Sequence, residues 1–253
     1  MLKGNLIKIA IVDDDEDDYF IIASYIKEIQ GANLYVDWIG DYQEAIEKIT
    51  QEAYNIYLID YRLGNETGLS LLQEAMSGGC EDPIVLLTGK GNREIDIRAM
   101  QSGATDYLVK SELTTEKLER CIRYSLERAN ALKELKDREN KYRNLFEGSK
   151  DAVFITDQAL NLVEVNHAAS LLFGRKTDEL ISRNLCEFIR NDEQKKHILR
   201  CLDQAQPIND LEMDIENSEG GIKPCLFSFS FRKTLITNGW CMAFFTTLPI
   251  SKK

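Results

Sequence analysis

Asp13, Asp14 and Asp15 stand in a row directly after a short apolar run, and Asp60 closes another. Thr88 and Lys110 close two more. If those runs are neighbouring strands, the side chains converge at one edge of a sheet. Crowded like charges cost stability unless a cation neutralises them. The hard carboxylate oxygens of Asp13, Asp14 and Asp60 favour Mg²⁺, which keeps several waters and leaves room for a phosphate oxygen. Asp60 is then suited to attack a phosphoryl group and form an acyl phosphate. The Lys110 ammonium and the Thr88 hydroxyl would stabilise the equatorial oxygens. A single Asp after a strand is ordinarily a helix cap. That explanation does not extend to five such residues at the ends of separate runs.

The elements that must position these groups are visible in the first half. Short β-branched runs occur at Ile7–Val12, Leu34–Ile39, Asn55–Asp60, Ile84–Thr88 and Thr105–Val109. Each precedes a stretch with helical apolar spacing, such as Ile21, Ile22, Tyr25, Ile26 and Ile29. This alternation predicts an α/β fold, with a doubly wound, five-stranded parallel sheet covered on both faces. The nearly continuous apolar strands agree with two-sided burial. In such sheets function gathers at the carboxyl ends of the strands, where the acids stand.

From Thr114 to Glu147 there is no Gly or Pro, and the spacing predicts one long helix. Leu118, Ile122, Ser125, Ala129 and Leu132 step by four and three, followed by Leu135, Tyr142 and Phe146. Two readings stand: a solvated linker helix packed on its own domain, or a parallel coiled coil that pairs two chains. Beyond Gly148 the pattern changes to an α+β domain with an antiparallel sheet. Strands are expected at Val153–Thr156, Leu160–Val165, Leu211–Ile215, Leu226–Phe231 and Cys241–Thr247, with short helices in the helical material from Ala168 to Leu202. Turns are expected at Glu219-Gly220-Gly221 and Asn238-Gly239. The expected division is 1–125, a linker helix over 126–147, and 148–253.

Composition limits the function classes. Of 253 residues, 43% are hydrophobic and 29% charged, which excludes a disordered or collagen-like chain. Six cysteines without a CxxC and only two histidines argue against structural zinc and a disulfide framework. No apolar run is long enough to span a bilayer, and the N-terminal apolar stretch runs straight into acids, unlike a signal peptide. The expectation is a cytoplasmic protein without membrane contact. Residues 1–125 carry 12 basic and 23 acidic side chains, whereas 126–253 carry 19 of each. The net charge of −11 therefore sits in the first half, which favours a cation partner and disfavours direct nucleic-acid binding.

Residues 5–125 resemble the receiver domain of two-component response regulators. The matching stretches are Ile9-Ala10-Ile11-Val12-Asp13-Asp14-Asp15, Leu58-Ile59-Asp60 with Gly68 eight residues on, Pro83-Ile84-Val85-Leu86-Leu87-Thr88-Gly89, and Gly103-Ala104-Thr105-Asp106-Tyr107-Leu108-Val109-Lys110. The resemblance implies Asp60 as phosphoacceptor, Asp13 and Asp14 as metal acids, and the Arg62 backbone carbonyl as a further Mg²⁺ ligand. It also implies Thr88 and Lys110 as the phosphate-sensing pair and Tyr107 as an aromatic switch. Two departures are Gly64 and Ser111, where the family often has proline. Arg62 and Lys90 flank the expected path of attacking water and are expected to slow hydrolysis. Two other motifs fit poorly. A haloacid-dehalogenase-type phosphatase needs a Gly-Thr-like pair where Glu16-Asp17-Asp18 stands. A calcium loop would need Gly at Asp18 and Glu at Ser24.

Residues 142–248 resemble a PAS sensor domain, through Tyr142-Arg143-Asn144-Leu145-Phe146, Asp151-Ala152-Val153-Phe154-Ile155-Thr156-Asp157, Val165-Asn166-His167-Ala168-Ala169 and Leu172-Phe173-Gly174. Cys186 is one place too late for the flavin-adduct motif. His197, between lysines and an isoleucine, does not align with a haem ligand, and His167 is expected only to cap a helix. No PAS cofactor is therefore expected. Pro249-Ile250-Ser251-Lys252-Lys253 replaces the Asp-Ile-Thr-like signature that leads to an output helix, which leaves open a terminal PAS or a following effector. Together the resemblances imply a phosphorelay response regulator, not a turnover enzyme. Its expected partners are a histidine kinase or phosphotransfer protein and a second copy of itself, paired through the linker helix or the PAS domain. The alternative is a ligand-sensing PAS module with a modulating receiver, cut from a hybrid sensor kinase.

Overall fold

The computed structural model describes residues 6–89, 93–232 and 240–247, with side chains except over 93–96, 231–232 and 240–247. Lys90, the Asn238-Gly239 turn and Pro249–Lys253 lie outside these residues. The chain divides into two compact units, Met1–Lys136 and Asp137–Lys253.

The first unit runs β1 (Leu6–Val12), α1 (Glu16–Lys27), β2 (Asn33–Ile39), α2 (Tyr42–Thr50), β3 (Ile56–Asp60), a tiny hairpin of β4 (Arg62–Leu63) and β5 (Glu66–Thr67), α3 (Gly68–Ser77), β6 (Ile84–Thr88), α4 (Arg93–Gln101), β7 (Asp106–Val109) and the start of α5 (Thr115–Glu147). The parallel sheet has the order β2-β1-β3-β6-β7. Alternation along the strands builds two cores. Ile9, Ile11, Ile56, Leu58, Val85 and Leu87 face Ile22, Ala23 and Ile26 of α1 and Leu118, Cys121 and Ile122 of α5. Ala10, Val12, Tyr57, Ile59, Ile84 and Leu86 face α2, α3 and α4 through Ala45, Ile49, Leu72 and Ala99. Burial on both faces explains why the strands read as unbroken apolar runs. Asp15, Asp41 and Thr67 cap α1, α2 and α3 by accepting from Asp17, Glu44 and Ser70 N–H groups. The hairpin of β4 and β5 was not expected from the sequence.

The long helix corrects part of one expectation. Leu118, Ile122 and Ser125, the first members of the proposed seam, are buried in the first unit itself. They are three and four apart because α5 packs on the sheet, so that part of the stripe is intradomain core. From Ala131 to Leu145 every residue is exposed, including Leu132 and Leu135.

The second unit holds the end of α5, then β8 (Ala152–Thr156), β9 (Leu162–Val165), α6 (His167–Phe173), α7 (Thr177–Leu180), α8 (Asp192–Asp203), β10 (Ile208–Glu216), β11 (Ile222–Arg232) and β12 (Trp240–Thr247). The antiparallel sheet has the order β10-β11-β12-β8-β9. The helical material expected over 168–202 is broken into α6, α7, a 3-10 turn at Leu185–Phe188 and α8. Gly174 ends α6 in a left-handed conformation with φ 69°, and a Cβ there would lie 2.9 Å from Ser218 Oγ. These breaks let Phe173, Leu180, Leu185 and Ile198 all reach one core. A single straight helix would have turned some of them to solvent.

Asn166 pins the entry to this unit. It is fully buried and uses all four side-chain hydrogen bonds: Oδ1 accepts from Val153 N (3.0 Å) and Ala169 N (2.9 Å), and Nδ2 donates to Phe146 O (2.9 Å) and Asp151 O (3.0 Å). The helix cap is thus Asn166 and not His167, whose N–H donates to Glu147 Oε2 at 2.9 Å. Asn166 supplies the side-chain oxygen one residue earlier, where the backbone is still extended.

Candidate functional site

Parallel strands of the first unit end side by side, so β1, β3, β6 and β7 deliver their last residues to one edge. Asp13 follows β1 and is 1% exposed, while Asp60 ends β3 and is 7% exposed. Charges buried this deeply need partners. Asp13, Asp14 and Asp60 each present a carboxylate oxygen, and these oxygens lie within 4.8 Å of one another. Three hard donors this close fit a hard dication.

The loops are built to hold these acids. Asp13 Oδ1 accepts from Asp15 N at 3.0 Å, and its carbonyl accepts from Trp38 Nε1 at 2.8 Å. Asp60 Oδ2 accepts from Arg62 N at 2.7 Å, and Asp14 Oδ2 from Gly64 N at 3.0 Å. Gly64 has φ 59°, so the position where the family often has proline adopts a backbone that proline cannot. At Gly68 a Cβ would lie 2.1 Å from the Asp60 carbonyl oxygen, so only glycine lets α3 start against the end of β3.

Lys110 is the counterion of this pocket. Its Nζ lies 2.7 Å from Asp13 Oδ2, 2.6 Å from Asp60 Oδ1 and 2.6 Å from Asp18 Oδ2. Burial acts to lower the ammonium pKa, but the hydrogen bonds to Asp13, Asp18 and Asp60 outweigh it and raise the pKa. Burial likewise pushes the Asp13 carboxyl above the usual range, opposed by Lys110 and the Asp15 N–H. Lys110 therefore stays cationic at neutral pH.

Thr88 ends β6 and is 2% exposed, and its Oγ1 has no hydrogen-bond partner. An unpaired buried hydroxyl costs about 1–3 kcal/mol. It stands at the edge that carries the acids and the ammonium, which is where an incoming oxyanion would satisfy it. Tyr107 is half-buried in β7 against the core face that includes Tyr57 and Ile59. Arg62 is exposed and begins the hairpin. The structure thus brings together Asp13, Asp14, Asp60 and Lys110, with Thr88 at the end of the adjacent strand.

Sequence reasoning missed Asp18, which joins Lys110 from the first turn of α1, and Trp38, which anchors the Asp13 carbonyl. Helical spacing from the Asp15 cap was the available signal for Asp18. In the second unit Cys186 is partly buried, with its thiol pKa raised by burial. His197 is exposed, with Nε2 3.8 Å from Cys201 Sγ.

Residues 9–123 match the response regulator receiver domain family, and residues 140–229 match the PAS fold. The transcriptional regulatory protein DltR of Streptococcus agalactiae is 28% identical over 182 residues, 70% of this chain and 76% of that one. The regulatory protein LuxO of Vibrio cholerae is 24% identical over 159 residues, 63% of this chain but only 35% of LuxO. Among solved structures, the PAS domain of an HTR-like protein from Haloarcula marismortui covers 47% of this chain and 98% of its own, at 20% identity and a TM-score of 0.41. No helix among the described residues is long and apolar enough to cross a membrane.

Proposed function

We propose that this chain, in which a receiver domain over 9–123 precedes a PAS domain over 140–229, is a two-component response regulator that accepts a phosphoryl group on Asp60. The supporting observation is the pairing of buried Asp60 and Asp13 with half-buried Lys110, with the orphaned Thr88 hydroxyl at the same edge. Asp13, Asp14, Asp60 and the Arg62 carbonyl would hold Mg²⁺, which when bound neutralises charge on the acids and on the incoming phosphoryl oxygens.

A carboxylate oxygen of Asp60 forms the new P–O bond, while the P–N bond of a phosphohistidine donor breaks and the freed imidazole takes up a proton. Lys110 donates from its ammonium to the transferred oxyanion. Thr88 Oγ1 donates to another of its oxygens, and its own burial penalty is thereby relieved. The movement of Thr88 frees space for Tyr107 on β7. Arg62 and Lys90 screen the phosphoryl group from water. The change then passes along α5 toward the PAS domain, and a homodimer through that helix or the PAS domain completes the output. The donor is a histidine kinase or phosphotransfer protein, and the receiver half makes no direct contact with nucleic acid.

Intact-mass measurement after incubation with Mg²⁺ and a small acyl phosphate tests this directly. One added phosphoryl group is expected in the wild type and none in Asp60→Asn. Equal addition in both would remove Asp60 from the role.

A further inference from the structure

An ammonium has three N–H groups, and three carboxylates surround that of Lys110: Asp13, Asp60 and Asp18, at 2.6–2.7 Å. Two of these acids belong to the cluster that fits a dication. Asp18 does not. It is the third residue of α1, its side chain is 38% exposed, and it reaches Lys110 from outside the cluster. The other acids of that turn behave differently: Asp15 caps the helix, and neither Glu16 nor Asp17 pairs with Lys110.

We propose that Asp18 is a positioning residue that keeps hold of the Lys110 ammonium when a dication takes Asp13 and Asp60. The inference rests on the metal-dependent phosphoacceptor reading above. A dication and an ammonium on the same two carboxylates repel each other. Without Asp18, binding the metal means either stripping the ammonium of its partners inside a half-buried pocket or tolerating it as a competitor. With Asp18, the flexible lysine stem shifts toward a carboxylate the metal does not use. The first turn of α1 also favours a carboxylate at this position, because the helix N-terminus carries partial positive charge.

Calorimetric Mg²⁺ titration of the full chain tests this in the wild type, Asp18→Asn, Asp18→Glu, Lys110→Met and the Asp18→Asn/Lys110→Met pair, with circular dichroism confirming the fold of each. Asp18→Asn is expected to weaken Mg²⁺ binding about tenfold, and Asp18→Glu to recover most of that loss. In the Lys110→Met background the same Asp18→Asn change is expected to cost less than about twofold, because the ammonium it positions is gone. An unchanged affinity in Asp18→Asn overturns the inference. So does an equal loss with and without Lys110, which would make Asp18 a mere contributor to the field. Failure of the wild type to bind Mg²⁺ would instead overturn the functional reading on which the inference stands.

Discussion

The two units handle buried polar groups in opposite ways. In the PAS unit Asn166 has all four side-chain hydrogen bonds satisfied, among a core of Phe154, Phe173, Phe188, Phe227 and Phe229. In the receiver unit Asp13 and Asp60 are buried beside a shared ammonium, and Thr88 carries an unpaired hydroxyl. A satisfied buried amide fixes a chain path, whereas carboxylates crowded around one ammonium beside an unpaired hydroxyl leave an edge that a cation and an oxyanion can complete. The contrast belongs to these two clusters and not to the units as wholes, because Thr156 Oγ1, Arg175 Nε and Gln194 Oε1 are also buried without partners in the PAS unit.

The largest effect that would sharpen the comparison is loss of a core aromatic. Phe173 packs 4.4 Å from Phe188 and 5.9 Å from Phe154, centroid to centroid. Phe173→Ala is expected to cost the PAS unit about 3–5 kcal/mol in denaturant unfolding. Mg²⁺ binding by the receiver should be untouched, and a parallel loss there would show that the two units do not stand independently.

Asn166→Ala comes next. It takes the Asn166 hydrogen bonds from the Phe146 carbonyl and from the Val153 and Ala169 N–H groups, and leaves the Asp151 carbonyl with Ser149 Oγ alone, at an expected cost of about 2–4 kcal/mol. Hydrogen exchange should show the last turn of α5 opening first. Protection unchanged around Phe146 would mean that Asn166 is not what pins the helix there.

The smallest effect is the most discriminating. Thr88→Val and Thr156→Val each replace an unpaired buried hydroxyl with a methyl, so each should leave stability within about 1 kcal/mol of wild type or raise it. The two should part company under phosphorylation: Thr88→Val is expected to lower the retained acyl phosphate severalfold and Thr156→Val to leave it unchanged. Equal retention in both would make Thr88 another inert orphan.

Much of this protein was legible in its sequence. Short unbroken apolar runs such as Ile9-Ala10-Ile11-Val12, each followed by helical spacing, are what strands buried on both faces must look like, so the parallel sheet and its strand-end residues could be read directly. The acids at strand ends were legible because chain direction alone places them. Short helices in the PAS unit were legible too, but the places where they break were not, since each break depends on which of Phe173, Leu180 and Leu185 must reach a core that local spacing cannot see. The same holds for the long helix: Leu118 and Leu132 lie on one stripe in sequence, but the sheet covers only the first. Asp18 shows the limit most clearly. Six acids run from Asp13 to Asp18, and sequence by itself could say only that they are crowded. Tertiary structure sorted them, because whether a carboxylate fits a metal, caps a helix or grips an ammonium is set by distances of a few ångströms to groups almost a hundred residues away.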